Sequence, residues 1–305
     1  MRSSEWGAYA YFSFLTEDTL VIPSLLQNTL KIGRIVVDGS NNDDVPCLVL
    51  LCTLALPPPS PHASTIRLGC RAVPNPTSSS PLLRPAPSSP PFRDNAADAI
   101  VLFNLLIEDT NMHAAQFFHE TRPFTFFVNR RALLAQIPHA QRACALFRSA
   151  PGAAAPTLIP WSAWGTAATR WFEFDPASMR WITTTAGQRA VTMEERTPTP
   201  IIVHDFNPYA VRATLASEAA QGRPQECERD THRQLPNGSL QVINVKEDVI
   251  PAGTMFREDV RSALPYIETV TQKKFRYEGV TIDEERIFGL EVRPLLWLPR
   301  VVILC

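Results

Sequence analysis

Apolar residues recur along this chain mainly at alternate positions, in short runs broken by polar turns, which is the signature of half-buried strands rather than amphipathic helices. "YAYFSFLTEDTLVIP" alternates over 9–15, breaks at Thr16, Glu17 and Asp18, and resumes at Leu20 before Pro23. That predicts a hairpin with a polar connection. In "NTLKIGRIVVD", Leu30, Ile32 and Val36 share one strand face while Ile35 and Val37 share the other. A strand apolar on both faces is expected to be covered on both. "CLVLLCTLAL" has the same character, reads as a buried strand, and stops at Pro57, Pro58 and Pro59, whose rings remove ladder donors. The same grammar returns in "RWITTTAGQRAVTMEE" and "TPIIVHDFNPYAV", with Gly187 where a tight hairpin needs positive φ.

Elsewhere the pattern is less decisive. "AIVLFNLLIED" fits a strand or a buried helix, because a short apolar run has no diagnostic period, and "TFFVNRRALLAQI" follows it. One or two helical turns are expected within 112–120, and "TLIPWSAWGTAATRWFEF" reads as aromatic strand edges. Asn207 with Pro208 at the first helical position predicts an Ala-rich helix over 208–220. Asn237 and Gly238 form the strongest two-residue hairpin signal, and "KFRYEGVTIDEERIFGLEV" alternates around a polar turn at Asp283, Glu284 and Glu285. Residues 74–91 are expected to be an extended Pro/Ser loop, and the Ala-rich passage 138–156 a loop with helical turns.

The consistent fold class is all-β: a partial or degenerate β-propeller of WD-repeat-like blades, with Pro-rich loop insertions and a few short helices. Corresponding strand blocks fall near residues 35, 130 and 205. These intervals exceed the ~40 to 45 residues of a regular blade, so insertions must supply the excess. The expected segments are 1–56 (first blade and start of the next), 57–95 (Pro/Ser-rich insertion), 96–216 (central blades), 217–236 (polar flexible insertion), 237–293 (last strands) and 294–305 (apolar tail).

Composition narrows the function classes. The 305 residues are 45% hydrophobic and 19% charged, enough apolar material for a substantial core, and 28 prolines against 12 glycines imply much loop and edge strand. A net charge of −1, with no basic run longer than Lys273 and Lys274 or Arg130 and Arg131, offers no electrostatic footprint for nucleic acid or an acidic membrane. The longest apolar run, 45–56, falls short of the ~20 residues a spanning helix requires, so no membrane partner is expected. Cysteines at 47, 52, 70, 144, 227 and 305 form no Cys-x-x-Cys pair, and Glu5 and Trp6 are unlike a secretory leader. Free thiols and a cytoplasmic or nuclear location, not secretion, are expected.

Four tryptophans, Trp161, Trp164, Trp171 and Trp181, crowd into "PWSAWGTAATRWFEFDPASMRW". Their usual burial favours packing; their enrichment at binding hot spots makes them the candidate interaction surface. His113, His119 and Glu120 surround an aromatic pair, but five residues separate the histidines and no Cys pair completes a metal set. No metal is expected. His204 and Asp205 could supply two thirds of a nucleophilic triad, yet no Gly-x-Ser-x-Gly elbow accompanies them. Glu194, Glu195, Asp283, Glu284 and Glu285 could serve acid–base chemistry, although acidic residues at turns are more often simply solvated. With no Gly-rich phosphate loop, no cofactor is expected.

"PWSAWGTAATRWF", "IIVHDFNPYAVR" and "DVRSALPYIETVTQKKFRYEGVTIDEERIFGLEV" together resemble the C-terminal part of a large family of uncharacterised F-box proteins of basidiomycete fungi. The resemblance spans about residues 9–292 and implies a degenerate propeller following an F-box. The family has no assigned catalytic residues to carry over. No F-box is visible here, since the chain opens on a strand at Tyr9, and 294–305 departs from the family's usual ending. The resemblance therefore implies a non-enzymatic module that recognises protein partners, with a ubiquitin-ligase scaffold among them only if an F-box were present. Competing expectations are a hydrolase using a histidine or acidic pair in a propeller-like cleft, and a truncated fragment without independent function.

Overall fold

The computed structural model describes residues 11–37, 46–73, 75–76, 96–109, 120–138, 157–173, 184–193, 198–220, 233–253, 255–283, 285–292 and 299–304. The fold is predominantly β, built from antiparallel sheets that each remain open. The chain divides into two compact units, Met1–Phe174 with Asp248–Ser262, and Asp175–Glu247 with Ala263–Cys305.

In the first unit, strands β1 (Ser13–Phe14), β2 (Thr19–Ser24), β3 (Thr29–Val37) and β4 (Pro46–Ala55) form an antiparallel meander in chain order. The short β8 (Leu158–Ile159) adds in parallel at Thr53 and Leu54 of β4. The polar β1–β2 connection forms as the sequence predicts. Thr16 Oγ1 and Thr19 Oγ1 both donate to Asp18, and Arg34 lies 3.2 Å from the same carboxylate. These hydroxyls, with Arg34 behind them, hold the Asp18 carboxyl below its usual range.

A second sheet runs β5 (Ala63–Arg71), β6 (Ile100–Asp109), β7 (Glu120–Asn129) and β9 (Thr169–Phe172), again antiparallel and in spatial order along the chain. The ambiguous run "AIVLFNLLIED" is thus a strand, with neighbours on both edges and buried residues on both faces. Helix α1 (Arg130–Leu134) continues directly from β7, its first turn capped by Asn129, whose side-chain oxygen accepts from Arg131 N. The two sheets share one apolar core, with Leu30, Ile32, Cys52 and Leu54 from the first and Val101, Phe103, Phe126 and Val128 from the second.

Chain that returns much later completes this core. Strands β15 (Asp248–Ile250) and β16 (Val260–Ser262) pair with each other, and Met255, Phe256 and Val260 are buried in the same cluster. The return segment clips onto the proline triplet: Arg257 N donates to Pro58 O at 3.0 Å and Ser60 N to Met255 O at 3.0 Å. The prolines that end β4 are therefore packed rather than extended into solvent.

The sequence reading needs correcting at β3 and β4. Both strands are buried only at their inner ends; beyond Arg34 the β2 partner stops, and Val36, Val37, Cys47 and Val49 are exposed. Apolar residues on both faces do not bury a strand that outruns its neighbours. A second correction concerns "PWSAWGTAA", expected as strand edge, which forms helix α2 (Trp161–Ala168). Pro160 at the N-cap, three alanines and no β-branched residue except Thr166 favour the helix.

In the second unit one sheet has the spatial order β10 (Thr185–Ala186), β11 (Arg189–Met193), β12 (Thr199–Asp205), β17 (Tyr266–Phe275), β14 (Leu240–Asn244) and β13 (Arg233–Gln234). A three-stranded sheet of β18 (Gly279–Ile282), β19 (Ile287–Val292) and β20 (Pro299–Leu304) follows. Gly187, at φ +56, opens the two-residue β10–β11 loop where Ala186 pairs with Arg189. The second hairpin differs from expectation. Leu235 N donates to Ser239 O, leaving a three-residue loop of Pro236, Asn237 and Gly238, with Gly238 at φ +83. Pro236 fixes the first turn position and Gly238 takes the left-handed one, so the turn gains a residue over the Asn-Gly pattern. Helix α3 (Pro208–Ala220) starts where the sequence predicts, with Asn207 Oδ1 accepting from Tyr209 N at 2.9 Å.

Proline in these strands sits where no ladder bond is demanded on its free side. Pro23 of β2 lies beyond the β1 pairing, Pro123 of β7 beyond β9, and Pro200 of β12 beyond β11. At Pro200 the β12–β17 register also shifts, and the displaced Ile201 N–H is met by Thr271 Oγ1 at 2.9 Å.

Candidate functional site

Of the four tryptophans, Trp161, Trp164 and Trp171 come together in the first unit, while Trp181 lies outside the described residues. Strand registry builds their surroundings. Phe103 of β6 pairs with Phe126 of β7, which pairs with Trp171 of β9. The three rings stack almost parallel, at 4.7 Å and 9°, then 4.5 Å and 10°. Phe256 closes on Trp171 of this column edge-on, while Phe124 meets Trp171 at a tilt of 57° and Phe256 edge-on. Aromatic cross-strand pairs stabilise a sheet beyond their buried area, by roughly 0.5–1.5 kcal/mol each.

Helix α2 lays its two tryptophans against that column, because an i, i+3 spacing puts them on one face. Trp164 is buried and donates its indole N–H to Ala55 O of β4 at 2.9 Å, tying the helix to the first sheet. Trp171 is buried as well, and its indole N–H meets no acceptor among the described residues. Trp161 is half-buried, packing edge-on against both of the others. Gly165 makes this possible: a Cβ there would stand 2.2 Å from the Trp161 ring. Trp164 and Trp171 therefore serve the core, and Trp161 alone of the three offers a reachable face.

Two arginines are buried in the same unit. Arg170, beside Trp171 and on the opposite face of β9, pairs with Asp248 of β15. Arg130 donates from Nη1 to Ala96 O at 2.6 Å, and burial lowers its pKa to about 10. Both fasten chain segments that are distant in sequence.

In the second unit the structure forms a constellation that sequence spacing does not show. His204 of β12 stands opposite Glu268 of β17, with Nδ1 3.8 Å from Oε2, while Nε2 is 3.3 Å from Thr192 Oγ1 of β11. Tyr266 lies beside the imidazole at 5.5 Å. Asp205, the neighbour expected to complete a triad, points the other way along the strand and accepts from Asn207 N at 2.8 Å. His204 is 3% and Thr192 5% exposed, and burial lowers the histidine pKa to about 4. The imidazole is thus neutral at pH 7. The hydroxyl–imidazole–carboxylate order matches that of a nucleophilic triad, but 3.8 Å is too long for a hydrogen bond and the hydroxyl is closed to solvent. Registry between three strands creates the cluster. No local signal marks it: "PIIVHDF" is continuously apolar over 201–203, and the strand turns Ile201 and Val203 to one apolar cluster and His204 to the other face.

The remaining sequence candidates do not converge. His113, His119, Glu194, Glu195 and Glu284 lie outside the described residues, and Glu120 is exposed, bonded to Arg122 at 2.7 Å. Asp283 Oδ1 accepts from Glu285 N and Arg286 N, closing the turn it occupies. Among the described residues no group of three or more His, Cys, Asp or Glu side chains is placed to hold a metal ion. Cys52 and Cys70 are buried thiols, the former with its pKa pushed up to about 12 and the latter also raised, whereas Cys47 is exposed. No helix among the described residues is long and apolar enough to cross a membrane. Compared with known proteins, the chain matches no family model, no curated protein and no solved structure.

Proposed function

We propose that this chain is a non-enzymatic protein-interaction module of propeller-like build, akin to the C-terminal recognition region of fungal F-box proteins. The observation that carries this reading is the pair of consecutive antiparallel meanders, β1 to β4 and then β5, β6, β7 and β9, packed through one apolar core. Blade-like meanders spend their faces on each other and present loops and outer strands to partners. Trp161 is the anchor on this reading, a half-buried aromatic seated on a rigid stack. A ubiquitin-ligase scaffold would engage only through an added F-box.

Affinity purification of the tagged chain, alone and fused to an F-box, tests the reading. The fusion should add scaffold proteins to a set of partners common to both, and Trp161→Ala should lose that common set while keeping the wild-type melting transition. Equal capture by Trp161→Ala would overturn Trp161 as anchor. Capture of the scaffold by the unfused chain would overturn the assigned division of labour.

The Thr192, His204 and Glu268 constellation favours a second reading, a hydrolase acting through the threonine hydroxyl. Ester hydrolysis by the wild-type chain that disappears in Thr192→Val would establish it. Burial of the hydroxyl argues instead for a structural contact, in which Thr192 meets Nε2 of a core histidine.

A further inference from the structure

We infer that Asn237 is a site of spontaneous covalent modification, where the β13–β14 turn converts the side-chain amide to aspartate and isoaspartate through a succinimide. Asn237 is exposed, and no other asparagine in the sequence is followed by glycine. Glycine leaves the following peptide nitrogen unshielded, because no Cβ stands beside it. The fold itself requires glycine here: Gly238 lies at φ +83, and a Cβ there would meet Gln272 Oε1 at 2.3 Å. The turn thus demands at 238 the residue that makes Asn237 reactive.

The hairpin also prepares the carbonyl that is attacked. Ser239 N donates to Asn237 Oδ1 at 3.0 Å, which folds the side chain over the intervening Gly238 peptide. That N–H faces the oxygen on which negative charge collects when Cγ is attacked. Once a solvent base removes the Gly238 amide proton, the nitrogen bonds to Asn237 Cγ. The tetrahedral centre then expels Nδ2, which takes a proton from solvent and leaves as ammonia. Water opens the five-membered imide at either carbonyl and returns a proton to the Gly238 nitrogen. Attack at Cγ leaves aspartate; attack at the main-chain carbonyl leaves isoaspartate, whose backbone runs through the former side chain. Either product adds one negative charge, with water as the only co-reactant. One contact slows the reaction: Gly238 N donates to Leu235 O at 2.8 Å, and this hydrogen bond must open first. Isoaspartate lengthens the closed loop by a methylene and so loosens the pairing of Arg233 with Gln241 and Gln234 with Leu240. This inference is independent of the proposed recognition function.

The test is to age the full chain, folded and in urea, at mildly alkaline pH, and to compare its peptides by mass spectrometry with those of an unaged sample. In the folded chain the peptide containing Asn237 should gain about 1 Da and separate into aspartate and isoaspartate forms. Its rate should be about fivefold below that of the unfolded chain, the factor set by opening one hydrogen bond. Asn237→Gln, which would have to close a six-membered ring, should stop the change at this peptide and keep the wild-type melting transition. Amides of 233–241 should exchange faster in the isoaspartate form. A folded chain that keeps Asn237 intact while the unfolded chain converts overturns the inference. So does conversion to aspartate alone, which direct hydrolysis gives without the Gly238 nitrogen, or faster conversion of another asparagine in the folded chain. Unchanged exchange over 233–241 overturns the assigned effect on the hairpin.

Discussion

His204 shows how burial sets the behaviour of a single side chain. Packed between Thr192, Glu268 and Tyr266, it is held neutral, with its pKa lowered from the ordinary 6.5 to about 4. The unfolded chain takes up this proton below about pH 6.5 and the folded chain only near 4, so stability rises with pH across that window and is lost on acidification. One such proton bounds the slope at about 1.4 kcal/mol per pH unit. Urea unfolding between about pH 5 and 7 should show a shallower pH dependence for His204→Gln than for the wild type. Burial also separates the thiols: alkylation mapped by mass spectrometry should label Cys47 in the native state and reach Cys52 and Cys70 only after unfolding. At Gly165 the demand is for space rather than charge. Gly165→Ala should cost about 1–2 kcal/mol despite alanine's better helix propensity, because the Trp161 ring must move. The penalty should vanish in the Trp161→Ala background, which a double-mutant cycle reads directly.

At the scale of elements, the helix starting at Asn207 was legible because its start signal is local: an asparagine cap followed by proline needs nothing from the rest of the chain. Asn207→Ala should destabilise by about 1 kcal/mol in denaturant unfolding, since Tyr209 N loses its acceptor. The Gly187 hairpin was legible for the same reason. Helix α2 was misread because aromatic residues raise strand propensity locally, whereas its i, i+3 tryptophans are placed by what they pack against, Ala55 and the Trp171 column. The outer halves of β3 and β4 were misread in the opposite sense. Their composition announces burial, but burial depends on where β2 and β8 stop.

For the whole molecule, the decisive feature is that the first unit is discontinuous. Phe256 meets Phe124 and Trp171 edge-on, Val260 joins the core, and Asp248 pairs with the buried Arg170, all supplied by the returning segment Asp248–Ser262. A fragment ending at residue 174 should therefore lack a cooperative thermal transition by near-UV circular dichroism. The full chain should show one, because removing Phe256 and Val260 together opens the core at its aromatic centre.

The alternating pattern by itself determined the all-β class, most hairpins and the Asn207 helix, since strand period, turn residues and caps act over a few neighbours. Tertiary structure decided which apolar strands are buried, that Trp164 and Trp171 belong to the core, and that Thr192, His204 and Glu268 meet. Those outcomes depend on registry between strands far apart in sequence, and on which strand extends beyond its neighbour, neither of which any local window of residues encodes.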